Sequence, residues 1–328
     1  MNAACCVQPD CSSSGRAGSH WGPERVSTTW NIATAAFYTR PAAEYADRVT
    51  TARAVGAAGA VVAALVALAA PATPAAPAPN APLPTTPSAV ADALSTTTAS
   101  LGSAIDDWRA TGAAGAPPTD LVLEALYQQR LTRLLSARAQ LAKQVFPLLR
   151  GKLRAFARDV VVAHRELVSI TPPLRTRTPR VGPPAPAPKL FSYYREAQRR
   201  FGVPWNVLGA VNFVESAFGK LRSASAAGAQ GPMQFIPSTW RAYGLGGNIH
   251  DPHDAILGAA NYLRASGGRR HIRHALHAYN PSPSYVDAVL RYARQMRADV
   301  GAFYTFYNWQ VFVRTTAGVK RLTGPGRP

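Results

Sequence analysis

Residues 211–218 read VNFVESAF, and their one acid, Glu215, keeps apolar company in Val211, Phe213, Val214, Ala217 and Phe218. Between Arg200 and Arg241 the chain holds no other Asp or Glu. A surface glutamate has polar neighbours, and a buried ionised one needs a partner. Desolvation disfavours the charged form, so a carboxyl in this setting should keep its proton towards neutral pH. That is the state a general acid requires. Downstream, residues 223–240 read SASAAGAQGPMQFIPSTW. Small residues and glycines let backbone approach a ligand closely. Gln230 and Gln234 offer amide donors and acceptors, and Met233 and Phe235 offer apolar surface, a mixture suited to sugars. The stretches AANYLRA and LHAYNPSPSYVDAV add Asn261, Tyr262, Tyr279, Asn280 and Tyr285.

Other chemistries lack their residues. HIRHALH places His271 and His274 on one helix face with His277 a turn further, but Arg270 and Arg273 repel a cation and no acid completes a site. Cys5, Cys6 and Cys11 have neither zinc-finger nor CxxC spacing. HExxH, GxSxG, P-loop and GxGxxG arrangements are all missing, so the sequence calls for neither a metal nor a cofactor. The balance of 36 Lys+Arg against 17 Asp+Glu, net +19 in 328 residues, points to an anionic partner or to arginine-rich solvated faces. Nucleic acid is one such partner, but no recognition motif for it is present.

The elements that must position Glu215 are helical. SYYREAQRRFG reads as a helix stopped by Gly202, and Pro204 opens a second in which Trp205, Leu208, Val211, Asn212 and Glu215 lie on neighbouring ridges. DPHDAILGAANYLRASGG is a third, with Asp251 as N-cap, Pro252 at N1, Asp254 in the first turn and Gly267-Gly268 at its end; capping accounts for both acids. RHIRHALHAYN and SYVDAVLRYARQM supply two more. YNWQVFVRTTAGVKRLTG alternates and predicts a strand or small hairpin within a tail at 301–328. Before this 189–300 domain lies a Pro-rich stretch, 171–188, either a tether or a strap along the next domain. Ahead of it, 119–170 has leucines at three- and four-residue steps, read as two or three amphipathic packing helices with a break at Pro147. Residues 71–118 read as a Pro/Ala-rich linker with one short helix near Ile105–Trp108. The run AVGAAGAVVAALVALAA, 54–70, follows Arg48 and Arg53 and has a small-x-small site at Ala67-Leu68-Ala69. It is either a secretory signal core or an uncleaved membrane anchor, and places the protein in the secreted or cell-envelope fraction. Its distance from residue 1 implies that translation starts downstream, at Val26 or Val49, leaving 1–53 as an extension.

The motifs together resemble the catalytic domain of soluble lytic transglycosylases, relatives of goose-type lysozyme, in the manner of secreted actinobacterial enzymes. The family's Glu-Ser pair matches Glu215 and Ser216, followed by Phe218. Its Ser-x-x-Gly-Ala-x-Gly-Leu-Met-Gln-x-x-Pro-x-Thr motif matches Ser225, Gly228, Ala229, Gly231, Met233, Gln234, Pro237 and Thr239, with Pro232 in the Leu position. Ala260-Asn261-Tyr262-Leu263 and Ala278-Tyr279-Asn280 match the third and fourth motifs, the latter followed by Pro281-Ser282 where the family has a small-Gly pair. The resemblance implies an all-α, lysozyme-like fold, preceded by the helical segment and Pro-rich linkers and followed by a small β-hairpin. It implies peptidoglycan glycan strands as substrate, Glu215 as acid then base, and Tyr279 bonding or orienting it. Ser216, Ser225, Gln230, Met233, Gln234, Phe235, Asn261, Tyr262 and Asn280 are then groove or supporting residues. Most glycosidases need two carboxylates, and none joins Glu215 locally, which fits a one-carboxylate mechanism. A hydrolytic muramidase and a non-catalytic wall-binding scaffold are the alternatives.

Overall fold

A computed structural model describes residues 75–175 and 178–326; the 54–70 run, the cysteines and the proposed start sites lie outside them. Eleven helices and one hairpin are formed among the described residues. The N-terminal part is α1 (Pro87–Ala110), α2 (Thr119–Ala137), α3 (Ala139–Leu148) and α4 (Gly151–Ile170). There follow α5 (Ala187–Phe201), α6 (Trp205–Ser216), α7 (Pro237–Tyr243), α8 (Pro252–Ala265), α9 (Ile272–Tyr279), α10 (Pro283–Ala298) and α11 (Val300–Asn308). Strands β1 (Phe312–Thr315) and β2 (Gly318–Arg321) pair antiparallel, Phe312 opposite Arg321 and Thr315 opposite Gly318. The all-α fold with a terminal hairpin, lysozyme-like in class, is as the motifs imply. The tail differs in one respect, since α11 occupies its first third.

Much of 71–118 is no linker. Thr86 caps α1, Pro87 sits in its first turn, and a 24-residue helix runs to Ala110. Its buried stripe is Val90, Leu94, Thr97, Leu101, Ile105 and Trp108. The pattern is hidden at Ser95–Thr98, where poor helix formers fill the middle and a threonine takes a core position. Packing against α2, α3 and α11 supplies what local propensity lacks.

Nor is 119–170 an appendage. Trp108, Leu121, Ala125, Val160 and Leu167 share one continuous core with Tyr194, Phe213, Phe303 and Trp309. A smaller core, with Val90, Leu94, Leu131, Leu135, Val145 and Val161, closes α1–α4 on themselves. The Gln129 side chain pairs with the backbone of Gln310 as a strand would. Its Nε2 donates to the carbonyl at 2.9 Å and its Oε1 accepts the N–H at 2.8 Å. Each such buried bond nets only ~1 kcal/mol, but orphaning its partner costs ~1–3 kcal/mol. Of the two readings of 171–188, the strap is the one found. Leu174 N–H donates to Arg314, Gly182 N–H to Lys220, and Arg222 N–H to Arg180.

All twelve residues of α6 are buried, as expected of a helix apolar on every side. It runs through the centre, against α5, α8 and α10. Gly202 ends α5 at φ +72°, and Gln198 Oε1 accepts the Trp205 N–H at 2.7 Å, setting the bend into α6. Asp251 caps α8 as read, accepting from His253 and Asp254 N–H. No helix among the described residues is long and apolar enough to cross a membrane.

Candidate active site

Glu215 stands in the last turn of α6 and is 1% exposed. Its Oε1 accepts the Tyr285 hydroxyl at 2.7 Å, while Oε2 is buried with no protein partner. Burial pushes its pKa well above the usual carboxylate range, opposed only in part by the Tyr285 bond. The C-terminal end of α6 carries partial negative charge and acts in the same direction as burial. Among the described residues no second acid perturbs the group. Tyr285 and Tyr279 are themselves pushed well up by burial, with Glu215 adding to the effect, so both remain neutral donors.

The backbone beyond Glu215 turns sharply, with Ala217 at φ +51° and Phe218 at +64° before Gly219 at +81°. The two non-glycine residues are strained by ~1–2 kcal/mol each. Phe218 is held there by packing on Phe213 and Phe303. Ala217→Gly should therefore raise stability by about 1 kcal/mol, a gain of ~3 °C in melting temperature by calorimetry. Lys220, next in the turn, donates to the Tyr307 and Trp309 carbonyls at 2.5 and 2.6 Å, closing the C-terminus of α11. Burial without an acid brings its amine down to about 7.

Bonded to the last turns of α6 is a tight turn, Gln230–Phe235, closed by two backbone bonds of 2.8 and 2.9 Å. Gln234 N–H returns to the Gly231 carbonyl, so Pro232 occupies the second turn position, where a fixed φ near −65° is wanted. That accounts for proline in the family's leucine position. Gln234 then takes φ +49°. Gly231, at +74°, lies so close to Ile249 that a Cβ would stand 1.9 Å from its carbonyl oxygen. The turn is pinned from below, with Asn212 Nδ2 donating to the Pro232 carbonyl at 2.8 Å and Ser216 Oγ to the same oxygen at 2.5 Å. Tyr194 in turn donates to Asn212 Oδ1.

Several expected roles change in this geometry. The Tyr279 hydroxyl donates to the Met233 carbonyl at 2.6 Å, so Tyr279 pins the turn and Tyr285 takes the Glu215 bond expected of it. The reason lies in helix register: Tyr279 ends α9, whereas Tyr285 lies in the first turn of α10, over α6. Pro281-Ser282, the departure after Asn280, builds that helix start. Ser282 caps it by accepting the Tyr285 N–H, with Pro283 at N1. Ser216 and Ser225 are occupied by backbone, Ser225 Oγ accepting from Ala227 and Ala229. Asn261 Nδ2 donates to Tyr243 and the Tyr262 hydroxyl to Ala278, holding α8 to its neighbours. Met233 and Phe235 are fully buried, Phe235 packing on Tyr279 and Trp240. Gln230 closes the turn through its backbone and Asn280 is buried at the end of α9, while Gln234 Oε1 joins Glu215 Oε2 as a buried atom without a protein partner. Asn212 and Tyr194, as turn anchors, went unassigned in the sequence. The signal was present in a polar Asn three residues before Glu215 on an apolar helix.

Asp251, His253 and Asp254 come within ligand distance of one another. Asp251 already accepts the helix-start N–H groups of His253 and Asp254, Asp254 accepts the N–H of Asn248 in the preceding loop, and His253 pairs with Glu196 at 2.9 Å. A cavity of about 610 Å³ among α1, α4, α10 and α11 contains none of the residues around Glu215.

Glu215, a buried carboxyl that burial biases towards its protonated form, thus sits inside a lysozyme-like helical fold. Residues 192–300 match the family model described as the transglycosylase SLT domain, a third of the chain. That domain's reaction class is lytic-transglycosylase-type cleavage of peptidoglycan. No solved structure matches the chain.

Proposed function

We propose that the protein cleaves the β-1,4 bond between N-acetylmuramic acid and N-acetylglucosamine by a one-carboxylate route. Protonated Glu215 delivers its proton from Oε2 to the bridging oxygen as the bond to muramoyl C1 breaks. The resulting carboxylate then takes the proton of the muramoyl C6 hydroxyl as that oxygen closes on C1. The products are a 4-hydroxyl end and a 1,6-anhydromuramoyl end, and Glu215 regains its proton without water entering. The observation that carries this reading is Glu215 itself, buried, bonded at one oxygen and without a protein partner at the other, with burial favouring its protonated form and no second acid among the described residues acting on it. An inverting hydrolase needs a second carboxylate to activate water, ~6.5–9.5 Å from the first.

Tyr285 holds Oε1 and leaves Oε2 for the substrate. Gln234 Oε1, on the pinned turn, is an acceptor for a sugar hydroxyl or acetamido N–H, while Met233 and Phe235 brace that turn. The 54–70 run and a net charge of +8 over residues 189–300 (14 Lys+Arg against 6 Asp+Glu) support export to an envelope whose polymers are anionic. The purified protein is expected to release muropeptides lighter by one water and lacking a reducing end, identified by mass spectrometry. Reducing-end products would make it a muramidase. A folded protein that binds glycan and releases nothing would make it a scaffold.

A further inference from the structure

The helix that brings Tyr285 to Glu215 is itself fastened from outside the matched domain. On α4, Asp159 and Glu166 stand seven residues apart and so share a face. On α10, Ser284 and Arg291 are spaced alike, with Arg294 and Gln295 on the next turn. The helices meet in opposite senses. Asp159, buried, accepts from Arg294 Nε at 2.8 Å, Gln295 Nε2 at 2.6 Å and Arg291 Nη1 at 3.3 Å, and Arg294 Nη2 makes a further short contact. Glu166 Oε2 accepts the hydroxyl of Ser284, the residue next to Tyr285.

This second fastening matters because the first turn of α10 begins between Pro281 and Pro283, with Ser282 as its cap. Helix ends fray, and a reacting constellation must be held within about 0.5 Å of its working geometry. Asp159 holds the far end of α10, and Glu166 holds the end that carries the tyrosine.

We propose that Glu166 and Asp159 are positioning residues, which lock α10 through Ser284 and Arg294 so that the Tyr285 hydroxyl stays on Glu215 Oε1. The catalytic meaning of the lock rests on the reading of Glu215 as the reacting acid, but the lock itself does not. On this view 119–170, silent in its motifs, belongs to the active-site scaffold.

The titratable groups acting on Glu215 are Tyr285, from the start of α10, and Tyr279, which ends α9. The Tyr285 bond favours ionised Glu215, so loosening it moves deprotonation of Glu215 to higher pH. In the whole protein that event is read from the protonated-carboxyl infrared band that Glu215→Gln lacks. Glu166→Ala and Ser284→Ala should each move the midpoint up by about 0.5–1 pH unit, the direction expected of Tyr285→Phe. Glu166→Gln, which keeps an acceptor oxygen, should restore it, and Asp159→Asn should move it as Glu166→Ala does. In a Tyr285→Phe background, Glu166→Ala should add nothing, whereas a merely structural role would add its own effect. An unmoved midpoint in folded Glu166→Ala and Ser284→Ala, additive shifts, or a Tyr285→Phe variant that titrates like wild type would each overturn the lock. Because this readout needs no turnover, a protein that releases no anhydro product would sink the proposed reaction while leaving the lock to stand or fall alone.

Discussion

Glu215→Gln is expected to lower kcat on peptidoglycan by about 10⁴-fold, the upper end for loss of an acid–base group, because one carboxyl serves both proton transfers. KM should change little, since the amide is isosteric and its carbonyl still accepts from Tyr285. The pH dependence has a definite sign. Glu215 must start protonated, so kcat should hold at low pH and fall as pH rises through its raised pKa. Stability follows the same proton. Above the ordinary carboxylate range the folded protein retains a proton that the unfolded chain has released. Wild type therefore loses stability at ~1.4 kcal/mol per pH unit until the raised value is passed. The amide has no such titration. The inactive variant should thus melt above wild type at neutral pH, by a margin that shrinks towards pH 4. Equal melting temperatures across that range would mean that Glu215 is ionised in the resting protein.

Gly231→Ala is the second large effect. A new Cβ would lie 1.9 Å from the Ile249 carbonyl oxygen, and both partners are backbone, so no side chain can swing aside. The residue would also be held at φ +74°. The expected loss is about 3 kcal/mol, or ~10 °C in melting temperature, with turnover falling as the turn bearing Gln234 shifts. Gly228→Ala makes the control. Its φ is +82° but nothing lies within 4 Å of its Cβ, so the cost should be only the backbone term, ~1–2 kcal/mol. If thermal melts show equal losses at 231 and 228, contact with Ile249 is not what requires the glycine.

Glu215 could be picked out of the sequence because a lone acid among Val and Phe is a local signal, and the all-α class because helical periodicity is local too. Asp251 as an N-cap belongs with them, since cap and capped N–H groups lie within three residues. What escaped were relations over distance. Tyr285 was visible as a nearby aromatic, but its bond to Glu215 spans 70 residues, and nothing in AYNPSPSY says that the second tyrosine, not the first, will face the acid. The same limit applies to Ser216 and Ser225, whose hydroxyls could have met sugar and instead hold backbone. In α1 the failure was of another kind. Thr97 occupies a core position, so reading polar residues as exposed hid a helix of 24 residues.

The joining of Gln129 to Gln310, 181 residues apart, also sets when the molecule can become itself. Trp108 packs on Tyr304 and Tyr307, and Trp309 donates to Gln128, so the first helices complete their core only with the last. Chain order thus delays folding. Contacts of such long sequence separation form late and slowly. A nascent chain halted before residue 300 can close the small α1–α4 core, but Trp108 and Gln128 have no α11 end to meet. That delay leaves the larger core open on its α11 side until nearly all of the chain has been made.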